Sequence, residues 1–311
     1  MIHIPPDWAL AITHIASEYV SRQFLALIGG LSNAIPPLEL DLVMLMACSK
    51  LARTLTDAYR NPVTINLDVA RYADVLQMME KGINPAREDS LLSWYPPDSQ
   101  IHLDWLTVVC DKFGIIVLWY LPGAIDLAIQ APKFHPHVSA TLKVLGRSFC
   151  QAMQRLAALI TAALRVMHPN LYWSSLATKL ALGLWAADKK LDEMGDHLRE
   201  WASVFTALAI VCNRRSLMHR DPLSRPQWFD VMTTFGNYGV ARMKMPNLGI
   251  ESVYPAGLMV AGSGRIIRHG LDMADGNRTA WVWYMRDDVH EFMDIPQADY
   301  SKYWSLVTNA Q

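Results

Sequence analysis

The chain has 311 residues, 52% of them hydrophobic and 18% charged, with a net charge of −1. That composition excludes a disordered chain and gives enough length for one large domain with a sizeable buried core. No apolar run reaches the ~20 residues of a membrane-spanning helix, and "MIHIPPDWAL" lacks the features of a secretory signal.

In chain order, "DWALAITHIASEYVSRQFLALIGG" carries apolar residues at helical spacing and stops at Gly29-Gly30. A second helix follows the proline pair in "PPLELDLVMLMACSKLARTLTDAYR". Residues 60–110 are less regular, with a turn at "WYPPDSQ". "FGIIVLWYLPG" is β-branched and aromatic and predicts a buried strand ending at Pro122-Gly123. Two long helices are expected next, one over 137–168 and one over 172–205 with a break near Gly195. After about residue 204 short apolar runs alternate with Gly, Pro, Asn and Asp turns, the texture of a sandwich or jelly roll. The expected class is α+β, with a helical N-terminal layer over 1–110 packed on a core over 111–311, in one compact unit. Four cysteines (Cys48, Cys110, Cys150, Cys212) form no C-x-x-C pair, which suits reduced thiols in the cytosol or nucleus.

Charge is segregated although the total is near zero. Residues 131–180 hold six basic side chains and no acidic one, and residues 211–268 hold eight basic against three acidic. Such clustering can build a basic face on a neutral protein. Lys143, Arg147 and Arg155 share one helical stripe, which suits phosphates or is an ordinary solvated face. Arg242 with Lys244, and Arg265 with Arg268, are comparable candidates in the β region. Phe235, Tyr238, Trp281, Trp283 and Tyr284 are aromatics able to stack on a base, although most strand aromatics are core.

The densest chemistry lies in "RSLMHRDPLSRPQ". His219-Arg220-Asp221 matches a kinase catalytic loop, but the position that needs a metal-binding Asn is Pro226, and no D-F-G follows. The other reading is one edge of a non-haem iron site, which needs two histidines and a carboxylate with the opposite face left open. Residues i and i+2 of a strand project to one side, so His219 and Asp221 can face one ion. His269, fifty residues on, ends the run "GLMVAGSGRIIRH", and Arg278 opens the next strand after "ADGN". A hairpin there would hold His269 and Arg278 together, the arginine pairing with the far carboxylate of a 2-oxo-diacid. The bland alternative makes His219 a turn cap and His269 a surface residue. His135 and His137 have ligand spacing but sit in a proline turn. Gly262-x-Gly264 lacks the helix and Lys-Ser/Thr of a phosphate loop.

With "CNRRSLMHRD", "FGNYG", "YPAGLMVAGSGRIIRHG" and "GNRTAWVWYMRDDV", the stretch 213–286 resembles the 2-oxoglutarate- and Fe(II)-dependent oxygenases. It is similar in particular to the Tet/J-binding-protein branch in the forms expanded in mushroom-forming fungi. "IIVLWYLPGAI" is similar to them as well, so the resemblance covers about the last 200 residues. It implies a double-stranded β-helix core, with Fe(II), 2-oxoglutarate and O2 as reactants. It implies His219, Asp221 and His269 as iron ligands and Arg278 as partner of the 2-oxoglutarate C5 carboxylate. Arg214 and Asn213 are candidates for the C1 carboxylate. The implied substrate is double-stranded DNA with a flipped methylated base, handled by a monomer in the nucleus away from any membrane. The base is 5-methylcytosine or N6-methyladenine, with RNA, protein or a small molecule as more distant alternatives. In the Tet branch a histidine eight residues after the cofactor arginine reads cytosine; that position is Arg286 here, and the nearest histidine is His290.

Overall fold

Helix α1 (Ala9–Gly29) ends where Gly30 adopts φ 65°, a left-handed turn that costs glycine no Cβ clash. Helix α2 (Leu42–Arg60) starts under Asp41, whose side chain accepts a hydrogen bond from the Met44 N–H at 2.9 Å. Its Met44, Cys48, Leu51, Leu55 and Ala58 recur every three or four residues and are buried. The computed structural model describes residues 3–78, 84–126, 129, 142–221, 224–272 and 275–308, with the backbone alone for 142–147.

The next elements are β1 (Pro62–Thr64), α3 (Val69–Met78), α4 (Pro85–Trp94), β2 (Ile101–Leu103), β3 (Thr107–Cys110) and β4 (Ile116–Leu121). All six residues of β4 are buried, as its unbroken apolar run requires. Three helices follow, α5 (Leu142–Met167), α6 (Pro169–Asp188) and α7 (Asp192–Glu200). The break expected near Gly195 lies earlier, at Lys189–Leu191, and Gly195 is inside α7. Lys190 takes φ 55°, and the N–H groups of Lys190 and Leu191 bond back to the carbonyls of Ala187 and Ala186. This is a Schellman closure made without glycine, so no glycine marks it in the sequence.

From there the chain alternates between two sheets. It runs through β5 (Ala207–Cys212), β6 (Ser216–His219), β7 (Asp230–Tyr238), β8 (Arg242–Met245), β9 (Ile250–Val253), β10 (Met259–Gly262), β11 (His269–Leu271) and β12 (Gly276–Tyr284). Short helices α8 (Asp287–Phe292) and α9 (Ser305–Thr308) close the described chain. One sheet has seven strands in the order β1-β3-β4-β10-β7-β12-β5, and the other has five in the order β2-β9-β8-β11-β6. β5, β7, β10 and β12 belong to the first, and β6, β8, β9 and β11 to the second. This winding is the double-stranded β-helix, or jelly roll, and with its helical layer the class is α+β.

Residues before 110 give more than helices. β1 pairs in parallel with β3, and β2 in parallel with β9, so each sheet takes an outer strand from this stretch. Three-residue strands are too short to show alternation, so the sequence shows only irregularity there.

Two cores result. Trp119, Phe205, Trp281 and Trp283 meet Val20, Leu51, Ile160 and Leu164 between the seven-stranded sheet and the helices. Val109, Tyr120, Ile250 and Val260 lie in the second core, where α3 and α4 add Tyr72, Leu76 and Leu91. Each fully buried apolar side chain of this kind contributes about 1.5–3 kcal/mol. Among the described residues no helix is long and apolar enough to cross a membrane.

Candidate active site

Strand β6 stops at His219, and β11 begins at His269. The two strands pair antiparallel with these histidines directly opposite, and their ring centroids are 4.3 Å apart. Each ring is fixed by its own backbone: His219 Nδ1 donates to the Leu217 carbonyl at 2.7 Å, and His269 Nδ1 to the Ile267 carbonyl at 3.0 Å. A carbonyl only accepts, so both protons sit on Nδ1 and both Nε2 lone pairs are free. Those atoms face one carboxylate, with His219 Nε2 3.7 Å from Asp221 Oδ1 and His269 Nε2 3.9 Å from Asp221 Oδ2. All three ligand atoms lie within 4.8 Å of one another. Burial, opposed by Asp221, lowers the pKa of His269 and keeps its ring neutral. Two neutral imidazoles and a carboxylate, oriented by backbone acceptors, fit a divalent iron with positions left open.

A second carboxyl stands behind the first. Asp230 opens β7, is buried, and accepts from Ser224 Oγ at 2.8 and 2.9 Å. Burial first, and then the charge of Asp221, push it up to about 8, so it is protonated at neutral pH. Gly264 faces both acids: a Cβ there would lie 2.5 Å from both Asp221 Oδ2 and Asp230 Oδ2. Its carbonyl also accepts the Asp221 N–H at 2.9 Å.

Arg278 comes from the other sheet. Its side chain is 4% exposed, donates through Nη2 to the Arg214 carbonyl, and lies over the Tyr254 ring at 5.9 Å. The expected hairpin between His269 and Arg278 is not formed. β11 pairs with β6 and β8, β12 with β5 and β7, and the two residues line one cavity from opposite sheets. His269 begins a strand that is separate from β10, the two being divided by the turn at Ser263–Ile266.

The cavity holds about 340 Å³ and brings together His219, Asp221, His269, Arg278 and Arg214. This is the small end of the ~300–1,000 Å³ of ligand pockets. On β12, Arg278, Ala280, Val282 and Tyr284 line it, while Trp281 and Trp283 turn to the helical core. Asn213 is not among the lining residues. At φ 49° it accepts the Arg278 N–H on its side chain at 2.7 Å and donates its own N–H to the Arg278 carbonyl at 2.8 Å. It therefore holds the arginine's backbone.

The remaining candidates lie elsewhere. His290 is not among the residues lining this cavity: it is fully buried, bonded through Nδ1 to Thr178 at 3.1 Å, with its ring 4.6 Å from that of Trp228. The apolar seam between α6 and α8 takes it from solvent, which corrects the substrate-binding expectation. Arg286 caps α8 and pairs with Asp288 at 2.9 Å. Arg242 pairs with Glu251 and Lys244 with Asp272, at 3.2 and 3.3 Å. Arg268 lies 3.9 Å from Glu88, and Arg265 is half-buried, its pKa lowered by burial first and then by the charges of Arg87 and Arg220. Arg155 pairs with Asp41 on the helical side. The side chains of Lys143 and Arg147, and all of His135 and His137, lie outside the described residues. Sequence reasoning passed over Asp230, Ser224 and Tyr254. The signal for Asp230 was a carboxylate one strand period from Met232 in "FDVMTTF", a polar residue in an inward position.

Residues 133–287 match the Tet_JBP family, described as the oxygenase domain of the 2OGFeDO superfamily. Among solved structures, NgTET1 in complex with 5mC DNA is 13% identical. That alignment covers 83% of this chain and 98% of that one at a TM-score of 0.45. An oxidoreductase of the 2OG-Fe(II) oxygenase family from Burkholderia pseudomallei is 17% identical over 72% of this chain and 93% of its own, at a TM-score of 0.21. No curated protein matches the chain.

Proposed function

We propose that this chain, which through residues 133–287 belongs to the Tet/JBP oxygenases of the 2-oxoglutarate- and Fe(II)-dependent superfamily, oxidises the methyl group of a methylated base in double-stranded DNA. The preferred base is 5-methylcytosine, with N6-methyladenine second, and the protein works as a monomer in the nucleus. The observation that carries this reading is the cavity that holds His219, Asp221 and His269 on one sheet and Arg278 on the other. The DNA substrate rests on the sequence resemblance.

Fe(II) and 2-oxoglutarate, when bound, supply the activation of O2 that hydroxylates a C–H bond, with 2-oxoglutarate leaving as succinate and CO2. The chain does the rest. His219, Asp221 and His269 hold the ion on one side. The fork of Arg278, buried and anchored on the Arg214 carbonyl, pairs with the distal carboxylate of 2-oxoglutarate. Arg214, on the same wall, is the candidate for the proximal carboxylate. Ala280 and Val282 leave room and exclude water. Burial, and then the charge of Asp221, favour the neutral form of Asp230 behind the ligand set. A cavity of this size admits one base and not a duplex, so the target nucleotide must be flipped out.

Incubation with Fe(II), 2-oxoglutarate and duplexes carrying either methylated base, followed by nucleoside mass spectrometry, tests the reading. The expected product is 5-hydroxymethylcytosine, or unmodified adenine with formaldehyde from N6-methyladenine. Succinate release with no change in either base would remove DNA as substrate. Full turnover by Asp221→Ala would remove the metal assignment.

A further inference from the structure

We propose that Arg220 is a positioning residue of the metal centre. It clamps the His219–Asp221 segment to the segment that carries His269, and it ties both to the N-terminal helices through Tyr72 of α3 and Glu88 of α4. The proposal rests on the reading of His219, Asp221 and His269 as the iron ligands.

Arg220 stands between two ligands just past the end of β6, and while His219 and Asp221 line the cavity, Arg220 does not. It is only 7% exposed. Nη1 donates to the Ile266 carbonyl, three residues before His269, and Nη2 donates to the Tyr72 hydroxyl. Glu88 accepts from Nη2 at 3.0 Å and from Nε at 3.3 Å to each oxygen, and the guanidinium lies 5.4 Å from the Tyr72 ring centre. One planar group thus joins three segments far apart in sequence.

The Ile266 carbonyl is also held from another side. Asn247 donates to it through Nδ2 at 3.0 Å and accepts the Arg268 N–H through Oδ1 at 3.0 Å. The chain entering β11 is therefore pinned on both sides before His269 is reached. Glu88 is itself gripped, with Arg87 2.9 Å away, and although burial opposes its charge, Arg220 and Arg87 hold its carboxyl below the usual range.

A buried ion pair is a poor way to add stability, because desolvation cancels most of the attraction and apolar residues of equal volume serve as well. What apolar residues lack is the fixed donor fork that sets angles between chain segments. The pair sits where the two ligand-bearing segments must keep their spacing, and groups that orient metal ligands typically change affinity by about 10–100-fold.

The test uses the full chain and Co(II) as a redox-stable, coloured stand-in for Fe(II), titrated without 2-oxoglutarate while the visible spectrum is followed. Arg220→Lys keeps the charge and loses the fork; the expected result is Co(II) binding about 10–100-fold weaker with an altered spectrum. Tyr72→Phe, which removes one acceptor, should weaken binding several-fold. Arg165→Lys, at a half-buried pair with Glu18 remote from the centre, should leave binding unchanged. A folded Arg220→Lys protein with parental affinity and spectrum overturns the clamp. If that variant does not fold at the assay temperature, parental binding by Tyr72→Phe overturns it instead. Asp221→Ala separates the two readings: if it binds Co(II) like the parent, the ligand assignment fails. If it loses Co(II) while Arg220→Lys does not, only the clamp fails.

Discussion

The two sides of β12 have opposite tasks. Toward the helices it presents Trp281 and Trp283, locked among Phe205, Trp201 and Phe149. Toward the other sheet it presents Arg278, Ala280, Val282 and Tyr284 around open space. One strand with a period of two thus carries dense packing on one face and a reaction chamber on the other. Stability and chemistry are separated by a single residue step, so substitutions at neighbouring positions should fail in different ways.

The sharpest contrast comes from Trp283→Ala, which should cost about 3–5 kcal/mol of stability through the cavity it leaves. Denaturant unfolding measures it, and metal binding should persist wherever the variant is folded. Ala280→Phe should do the reverse. Succinate production should fall by about 100-fold or more, equivalent to about 2.7 kcal/mol in the barrier. The stability loss should stay near about 1–3 kcal/mol from overpacking. Equal losses of stability in the two variants would break the contrast.

Acid reveals the helical side next. Burial lowers His290 to about 4, against 6.5 for an exposed ring, and the unfolded chain therefore binds the proton first. Its contribution is complete above pH 6.5 and is lost as pH falls toward 4. His290→Gln cannot titrate, so between those limits its stability should fall less steeply than the parent's, by about 1.4 kcal/mol per pH unit. Parallel pH profiles would contradict this. The smallest effect belongs to the half-exposed pair Arg155–Asp41 on the same side. Arg155→Ala should change stability by less than about 1 kcal/mol, and less again in salt.

Much of this organisation is legible in the residues. Long helices show through three-to-four spacing, and β4 through its unbroken apolar run, because both patterns are local. The gathering of His219, Asp221, His269 and Arg278 also follows from sequence, although the hairpin expected to join the last two does not form. Pairing partners are set by winding between sheets, and no local pattern records that. Glu88 and Arg220 are 132 residues apart, and nothing near either predicts the other. His290 misleads for the opposite reason, since a polar residue beside the expected site is drawn into the core by packing around Trp228.

Gly264 serves the site by what it lacks. The carboxyl groups of Asp221 and Asp230 converge on a bare Cα, where one added carbon would touch both at 2.5 Å. The position offers nothing to tune in small steps: a mutational library at 264 should return glycine alone among active clones. Adjustment of the gap would have to come from an insertion or deletion in the Ser263–Ile266 turn.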